Sequence, residues 1–216
     1  MIYSKIDSSK YKKIFVIGDL HGCYDLLMSK LSDVNFDYEN DLVVAVGDLI
    51  DRGSQNLECL RLINEKWFKT VRGNHEQVAI NGINGNQQSL YAWMYNGGGW
   101  YFQLDDADKE EADTLINQCA ELPLIIELNT KNKLWAFAHA DYPDNEYEFN
   151  KPVSNKQIIW SRDRFGNDDN SAINGVEFFV FGHTPQNEVT QIANRIYIDT
   201  GAVFTGNLTL TRIDNI

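Results

Sequence analysis

The sequence predicts an α/β fold in which short buried strands alternate with helices, and three observations support this prediction. Five apolar runs of four or five residues, rich in Val, Ile and Phe, show little polar alternation, as in strands buried on both faces. The segments after the first two runs carry apolar residues at helical spacing. Strand, helix and strand recur at intervals of about 30 residues, the spacing of βαβ units.

Each of the five predicted strands ends directly before a polar cluster. The strands are residues 14–17 before GDLHG, 42–46 before GDLIDRG, 68–71 before RGNHE, 134–138 before His139, and 178–181 before GHT. DLLMSKLSDV and SQNLECLRLINE are predicted helices, and Ser54 is a candidate N-cap for the second. Because ligands gather outside the carboxyl ends of parallel strands, we expect the polar clusters to share one edge of the sheet.

The remaining segments complete the predicted domain. From Glu76 to Glu121, helical spacing is broken by glycine-containing turns, so we expect helices joined by loops that cover the sheet. The glycine triplet at 97–99 offers either a phosphate cradle or a plain turn, and the turn is favoured. Residues 195–199 and 207–211 flank TGAVFTG and are predicted to be antiparallel strands. With no repeat or linker, residues 1–216 are expected to form a single domain.

Composition and charge exclude several classes of function. Of 216 residues, 43% are apolar, yet no apolar run approaches the roughly 20 residues of a membrane span. The N-terminal segment lacks the apolar core of a signal peptide, so we expect a cytoplasmic location. The net charge of −12 argues against a nucleic-acid partner. The three scattered cysteines, Cys23, Cys59 and Cys119, suit reduced thiols.

All four histidines of the chain lie at or just beyond the end of a predicted strand: His21, His75, His139 and His183. Asp19, Asp48, Asp51 and Asn74 accompany them in glycine-bounded turns. A single histidine is usually an ordinary polar residue, but four at one sheet edge indicate a common site. Carboxylate, amide and imidazole ligands suit Mn, Fe or Zn. If Asp48 bridges, two ions about 3.5–4 Å apart would clamp an in-line phosphoryl displacement by hydroxide.

Arginines and a histidine supply the rest of the predicted chemistry. Arg52 and Arg72 lie inside the motifs, and the planar guanidinium matches phosphate oxygens, whereas Arg162 in IIWSRDR lies outside the motifs. A serine alkoxide leaves poorly without a proton donor, and His75 is predicted to be that acid. Asp51 either orients His75 and raises its pKa or merely closes the turn.

The order GDLHG, GDLIDRG, RGNHE, AHAD and GHTP resembles the phosphoprotein phosphatase family of metallophosphoesterases, especially its small phage and bacterial branch. The resemblance continues through NGGGW, ELPLIIEL, HADYP and YIDTGAVFTGNLTL, so it covers nearly the whole chain. It implies one catalytic domain, with a central β sandwich of mixed sheets flanked by helices and a metal site at the C-terminal ends of the strands. It also implies hydrolysis of phosphoserine and phosphothreonine by a metal-bridging hydroxide. Phosphotyrosine is a further candidate substrate, because phenolate leaves more easily than a serine alkoxide, although its ring demands a shallow, open cleft.

The family pattern also implies a role for each site residue. The first ion would be bound by Asp19, His21 and Asp48, and the second by Asp48, Asn74, His139 and His183. Manganese is the usual ion of this branch. The phosphoryl oxygens would be held by Arg52, Arg72 and Arg162, with His75 as acid and Asp51 behind it. The expected partners are phosphorylated proteins or peptides, with no nucleic acid, membrane or obligatory subunit.

Three rival functions are weighed against this interpretation. Symmetric hydrolysis of dinucleoside tetraphosphates shares GDxHG, GDxxDRG and GNHE, so only the match outside the motifs favours protein substrates. A non-catalytic phosphopeptide-binding module would be expected to lack a ligand or the acid, and all are present. A cysteine phosphatase needs Arg six residues after its cysteine, but residues 29, 65 and 125 are Ser, Glu and Ile.

Overall fold

The computed structural model describes residues 2–130, 133–167 and 169–215, and its strands there form two mixed sheets. The strands are β1 (Tyr3–Asp7), β2 (Ile14–Ile17), β3 (Leu42–Ala45), β4 (Phe68–Thr70), β5 (Ile125–Asn129), β6 (Leu134–Ala138), β7 (Phe178–Phe181), β8 (Thr190–Ile192), β9 (Arg195–Tyr197) and β10 (Leu210–Arg212). The α-helices are α1 (Tyr24–Asp33), α2 (Asn56–Arg61), α3 (Asn74–Ile83), α4 (Gln87–Tyr95), α5 (Asp106–Gln118), α6 (Asn155–Trp160), α7 (Asp163–Gly166) and α8 (Ala202–Thr205).

The smaller sheet has the order β10-β2-β3-β4 and the larger sheet the order β1-β5-β6-β7-β9-β8. In the smaller sheet, β2, β3 and β4 are parallel and β10 is antiparallel to β2. In the larger sheet, β6, β7 and β9 are parallel to one another, and β5 is antiparallel to β6. None of the helices in the described residues is long and apolar enough to cross a bilayer.

The two sheets pack face to face, and alternate residues of each strand face opposite sides. Val16 of β2 and Phe137 of β6 belong to the core between the sheets. Their neighbours Ile17 and Ala136 face outward, into two further clusters, the first of which includes residues of α1 to α5. Burying a side chain of the Val or Phe class contributes about 1.5–3 kcal/mol. The prediction of a β sandwich of mixed sheets flanked by helices is therefore confirmed.

Two local predictions were wrong. Ser54 does not cap α2, because Gln55 holds the N-cap position and its side-chain oxygen accepts the N–H of Asp25 at 3.0 Å. The two C-terminal strands do not pair with each other: β9 lies in the larger sheet and β10 in the smaller. The segment between them crosses from one sheet to the other, and its helix α8 lies between left-handed glycines, Gly201 and Gly206.

The glycine triplet is part of a helical segment. Gly97 has a left-handed φ of 112°, and a 3₁₀ helix then runs over Gly98–Gln103. The plain turn expected at 97–99 is therefore a helix start next to the end of α4.

Candidate metal centre

Polar side chains that follow five strands meet at the carboxyl edge of the sandwich. They are Asp19 and His21 after β2, Asp48 after β3, Asn74 and His75 after β4, His139 after β6, and His183 after β7. None of them is more than 6% exposed. The chain thus gathers three kinds of metal ligand, carboxylate, amide and imidazole, in one buried cluster.

Asp48 lies at the middle of this cluster. Its Oδ2 is 3.3 Å from Nε2 of His139, 3.7 Å from Nε2 of His21 and 3.9 Å from Nε2 of His75. Burial alone would raise the pKa of Asp48, but the surrounding imidazoles outweigh it and hold the pKa well below its usual range. Two groups of ligand atoms share this carboxylate: one adds His21 and His75, the other His139 and His183.

The imidazoles present lone pairs that a cation would accept. Nδ1 of His139 and Nδ1 of His21 each lie 2.8 Å from a backbone carbonyl, so each donates its proton there and leaves the lone pair of the ring on Nε2. Nε2 of His139 then faces Oδ1 of Asn74 at 2.8 Å, two acceptors in contact. Nε2 of His183 is buried and has no hydrogen-bond partner in the described part of the chain. These residues therefore fit a divalent metal ion.

The pKa values of His21 and His183 agree with a ligand role. Burial lowers the pKa of His21 and of His183 to about 3, so both imidazoles are neutral near pH 7. Metal ligands must be deprotonated in this way. For His139, burial opposes the charged form, but Asp48 outweighs burial and raises its pKa.

Asp19 and Asp199 are two further buried carboxyl groups near the cluster. Both oxygens of Asp19 accept the backbone N–H of His183, at 3.2 and 3.0 Å, and Asp19 is in neither of the two ligand groups found in the described residues. Burial, followed by repulsion from Asp199 and Asp48, raises the pKa of Asp19 well above its usual range. Sequence reasoning gave Asp199 no role, because it was the last residue of the predicted strand 195–199, whereas β9 ends at Tyr197. A bound cation would relieve this repulsion.

Five site residues other than glycine have a left-handed backbone conformation. Their φ angles are 44° for His21, 48° for Asp48, 77° for Asp51, 72° for Arg52 and 66° for His183. Such angles are uncommon for residues with a Cβ, and backbone strain of this kind occurs most often at functional sites.

His75 and Asp51 form a buried pair beside the ligand cluster. Nδ1 of His75 donates to Oδ2 of Asp51 at 2.6 Å, which leaves Nε2 facing the cluster. Burial would lower the pKa of His75, but Asp48 and Asp51 together outweigh burial and raise it. The other oxygen of Asp51 accepts the indole N–H groups of Trp93 and Trp100, each at 2.8 Å. Sequence reasoning gave neither tryptophan a role.

The three predicted phosphate-binding arginines lie in different settings. Arg52 is exposed, and its guanidinium lies 2.9 Å from Nε2 of His75 and also contacts His21. Arg162 is exposed and donates to the carbonyl of His183 at 3.1 Å. Arg72 is 9% exposed, and its Nη1 donates to the carbonyl of Ala120 at 2.9 Å. Arg52 and Arg162 thus touch the cluster, whereas the hydrogen bond of Arg72 leads to the backbone of a 3₁₀ helix, Cys119–Glu121, outside it.

Glu76 is a further buried residue that the sequence reasoning passed over. Its carboxylate accepts the backbone N–H groups of Asp48, Leu49 and Gly73 at 2.8 to 3.0 Å. Burial and the nearby Asp48 raise the pKa of Glu76 to about 7. Since these bonds join the turn after β3 to the turn after β4, Glu76 fixes the two turns relative to each other. The last letter of RGNHE was the available signal.

Comparison with known proteins shows similarity over the whole chain. Calcineurin-like phosphoesterases match residues 12–187. Serine/threonine-protein phosphatase 1 of Salmonella typhimurium is 44% identical over 212 residues, 98% of this chain and 97% of that protein. A symmetrical bis(5'-nucleosyl)-tetraphosphatase of Mannheimia succiniciproducens is 50% identical over only 64 residues, 29% of this chain and 23% of that protein. A crystal structure titled as a putative diadenosine tetraphosphatase has the same fold, with TM-score 0.72, 21% identity and coverage of 99% and 94% of the two chains.

Proposed function

Because this chain belongs to the calcineurin-like phosphoesterase family, we propose that it is a metal-dependent protein phosphatase that hydrolyses phosphoserine and phosphothreonine. The observation that carries the proposal is the buried Asp48 carboxylate, shared by two groups of ligand atoms, beside the His75–Asp51 pair. The full-length match to a protein named as a serine/threonine phosphatase supports the substrate class. Phosphotyrosine is proposed as an additional substrate. Residues 1–216 would form one catalytic domain.

The family implies divalent metal ions, and we propose two, with Mn²⁺ as the physiological metal. The first would be held by Asp19, His21 and Asp48, and the second by Asp48, Asn74, His139 and His183. When bound, such ions lower the pKa of water to supply hydroxide and stabilise the charge of the transferring phosphoryl group. Asp48 would belong to both sets, which agrees with its ionised state and its central position.

The chain's own groups would bind the phosphate and protonate the leaving oxygen. Arg52 and Arg162 stand at the exposed side of the cluster, and with Arg72 they would hold the phosphoryl oxygens through charged hydrogen bonds. His75 would donate a proton from Nε2 to the departing serine oxygen, and its raised pKa favours the protonated form. Asp51 would keep the proton of His75 on Nδ1 and hold the ring in place.

Among named phosphatases, we propose a kinship with the bacteriophage lambda serine/threonine protein phosphatase, on the motifs and the flanking segments described above. A cytoplasmic location is also proposed, and the free thiols of Cys23, Cys59 and Cys119 agree with a reducing compartment. Hydrolysis of dinucleoside tetraphosphates is the alternative. The short match to the symmetrical enzyme supports it less than the full-length match supports protein substrates.

The first test is hydrolysis of a phosphoserine peptide by metal-stripped protein after addition of Mn²⁺, Mg²⁺, Zn²⁺ or Ca²⁺. We expect Mn²⁺ to restore activity and Asp48→Asn to abolish it, while the exposed Asp106→Asn serves as a matched control with unchanged activity. A parallel assay with a dinucleoside tetraphosphate measures the alternative. Faster turnover of the dinucleotide than of the peptide would overturn the proposal.

A second test addresses the acid. His75→Asn should lower kcat for the phosphoserine peptide by about 100-fold or more, the usual contribution of general acid catalysis. The loss on p-nitrophenyl phosphate should be much smaller, because nitrophenolate leaves without a proton. Equal losses on both substrates would refute the role of His75 as the acid.

A further inference from the structure

We propose that Trp93 and Trp100, together called the indole clamp, are positioning residues of the catalytic site. Gly97 and Gly98, which precede Trp100, would allow the two indoles to come together. This proposal rests on the proposed phosphatase function, because it concerns how the acid His75 is held. In the described residues the indole N–H groups of both tryptophans donate to Asp51, so the two residues would act through that carboxylate. Gly97, Gly98 and Trp100 of the NGGGW segment would then support the active site rather than form a surface turn.

The hydrogen bonds of Asp51 fix the orientation of its carboxylate. Oδ1 accepts both indole N–H groups at 2.8 Å, and Oδ2 accepts Nδ1–H of His75 at 2.6 Å. The backbone N–H of Asp51 donates to the side-chain oxygen of Asn56 at 2.7 Å, and Asp51 is fully buried. Since an indole only donates, two indoles on one oxygen require that oxygen to be an acceptor and direct the other oxygen to His75.

The glycines allow the two indoles to converge. A Cβ on Gly98 would lie 2.4 Å from both Cδ1 and Nε1 of Trp93, closer than any side chain tolerates. Gly97 has a φ of 112°, and a Cβ there would lie 2.7 Å from the backbone nitrogen of Arg52. The backbone at Gly98 can therefore pack directly against the ring of Trp93. The rings of Trp93 and Trp100 pack edge to face, with their centres 6.2 Å apart.

The same segment contacts the proposed phosphate-binding arginine. The backbone N–H of Arg52 donates to the carbonyl of Gly97 at 3.4 Å, and a Cβ on Gly97 would lie 2.9 Å from Cγ of Arg52. Residues 97–100 thus lie directly behind both Asp51 and Arg52, which are adjacent in the chain. One segment would set the direction of the acid and the position of the arginine.

Loss of an indole N–H should allow the Asp51 carboxylate to rotate. The His75 ring would then no longer be held with Nε2 directed at the leaving oxygen. The effect should therefore depend on the leaving group, because only a poor leaving group needs the proton. Trp93→Phe and Trp100→Phe keep the aromatic ring and remove the donor. Trp67→Phe is the matched control, since Trp67 packs against Phe36 and Phe68 in a cluster of aromatic rings.

The experiment compares kcat and KM for a phosphoserine peptide and for p-nitrophenyl phosphate, with Mn²⁺ saturating. We expect Trp100→Phe and Trp93→Phe to lower kcat for the peptide about tenfold or more, with KM and p-nitrophenyl phosphate turnover changed less than about twofold. Trp67→Phe should leave both substrates unchanged. Equal losses on the two substrates, or no loss on either, would overturn the indole clamp.

The glycine run provides a second and independent comparison. Gly98→Ala should reproduce the selective loss, whereas Gly99→Ala should be neutral, because a Cβ on Gly99 meets nothing within 4 Å. Equal behaviour of the two alanine variants would overturn the role given to the glycines. A wild-type protein inactive on every phosphate ester would instead overturn the phosphatase function itself.

A spectroscopic readout tests the contact without catalysis. In a ¹H–¹⁵N spectrum of the folded protein, Asp51→Asn should move the indole resonances of Trp93 and Trp100 and leave that of Trp67 in place. Unmoved resonances for both members of the pair would show that their N–H groups do not donate to Asp51, and the proposal would fail.

Discussion

Replacing Glu76 by alanine should destabilise the fold through three orphaned backbone donors. The carboxylate accepts the N–H groups of Asp48, Leu49 and Gly73, and Glu76 is 1% exposed. Each buried donor left without an acceptor costs about 1–3 kcal/mol. Water that enters the vacated polar space would satisfy some of them, so we expect a loss near the lower limit, about 3 kcal/mol.

The assay is urea unfolding of the metal-free protein, followed by tryptophan fluorescence, with thermal unfolding as a second measure. A loss of about 3 kcal/mol corresponds to a fall in Tm of about 6–12 °C for a chain of this size. Glu76→Gln keeps one oxygen and should lie between wild type and alanine. The exposed Glu110→Ala is the matched control, with a change below about 0.5 kcal/mol. A loss under about 1 kcal/mol for Glu76→Ala would refute the reasoning.

Three further predictions concern other contacts of the site and its support. Gly182→Ala places a Cβ 2.0 Å from Oδ1 of Asp19, so Mn²⁺ affinity should fall about tenfold in a calorimetric titration, and unchanged affinity would contradict it. Arg164→Met should destabilise the protein by about 3–5 kcal/mol in thermal unfolding, because buried partners, including Asp141, lose their cation. Phe204→Ala removes a ring 5.6 Å from the Arg52 guanidinium and should weaken inhibition by inorganic phosphate about two- to fivefold; an equal inhibition constant would exclude the contact.

Local sequence patterns predicted the strands and turns whose structure depends mainly on residues close together in the chain. Strands β2, β6 and β7 have the predicted bounds, because uninterrupted apolar runs of this length are stable only between two packed layers. The polar turns after them meet at one edge, because parallel strands carry their carboxyl ends to the same side. Strand β5 was missed in the residue patterns, since Glu127 interrupts its apolar run. Its charge is paired with Lys5 of β1 at 2.6 Å.

The unpredicted parts depend on contacts between residues distant in the chain. The two indole donors to Asp51, Trp93 and Trp100, lie 42 and 49 residues further along the chain. No local pattern indicates that two indoles converge on one oxygen. The wrong pairing of β9 and β10 has the same origin: neighbouring strands usually pair, but here each finds its partner in a different sheet. Asp199 was missed because it was assigned to the end of the predicted strand 195–199, whereas β9 ends two residues earlier, at Tyr197.

Five site residues have left-handed backbone conformations, and their strain lowers the stability of the folded protein: His21, Asp48, Asp51, Arg52 and His183. Each such residue costs about 1–3 kcal/mol, which the surrounding fold must supply. Glycine adopts these angles without strain, but it would remove a ligand, a phosphate contact or the partner of the acid. At the exposed Arg52, where glycine would orphan no buried donor, a mutant library selected only for survival on heating should therefore accumulate glycine and lose turnover as it gains stability.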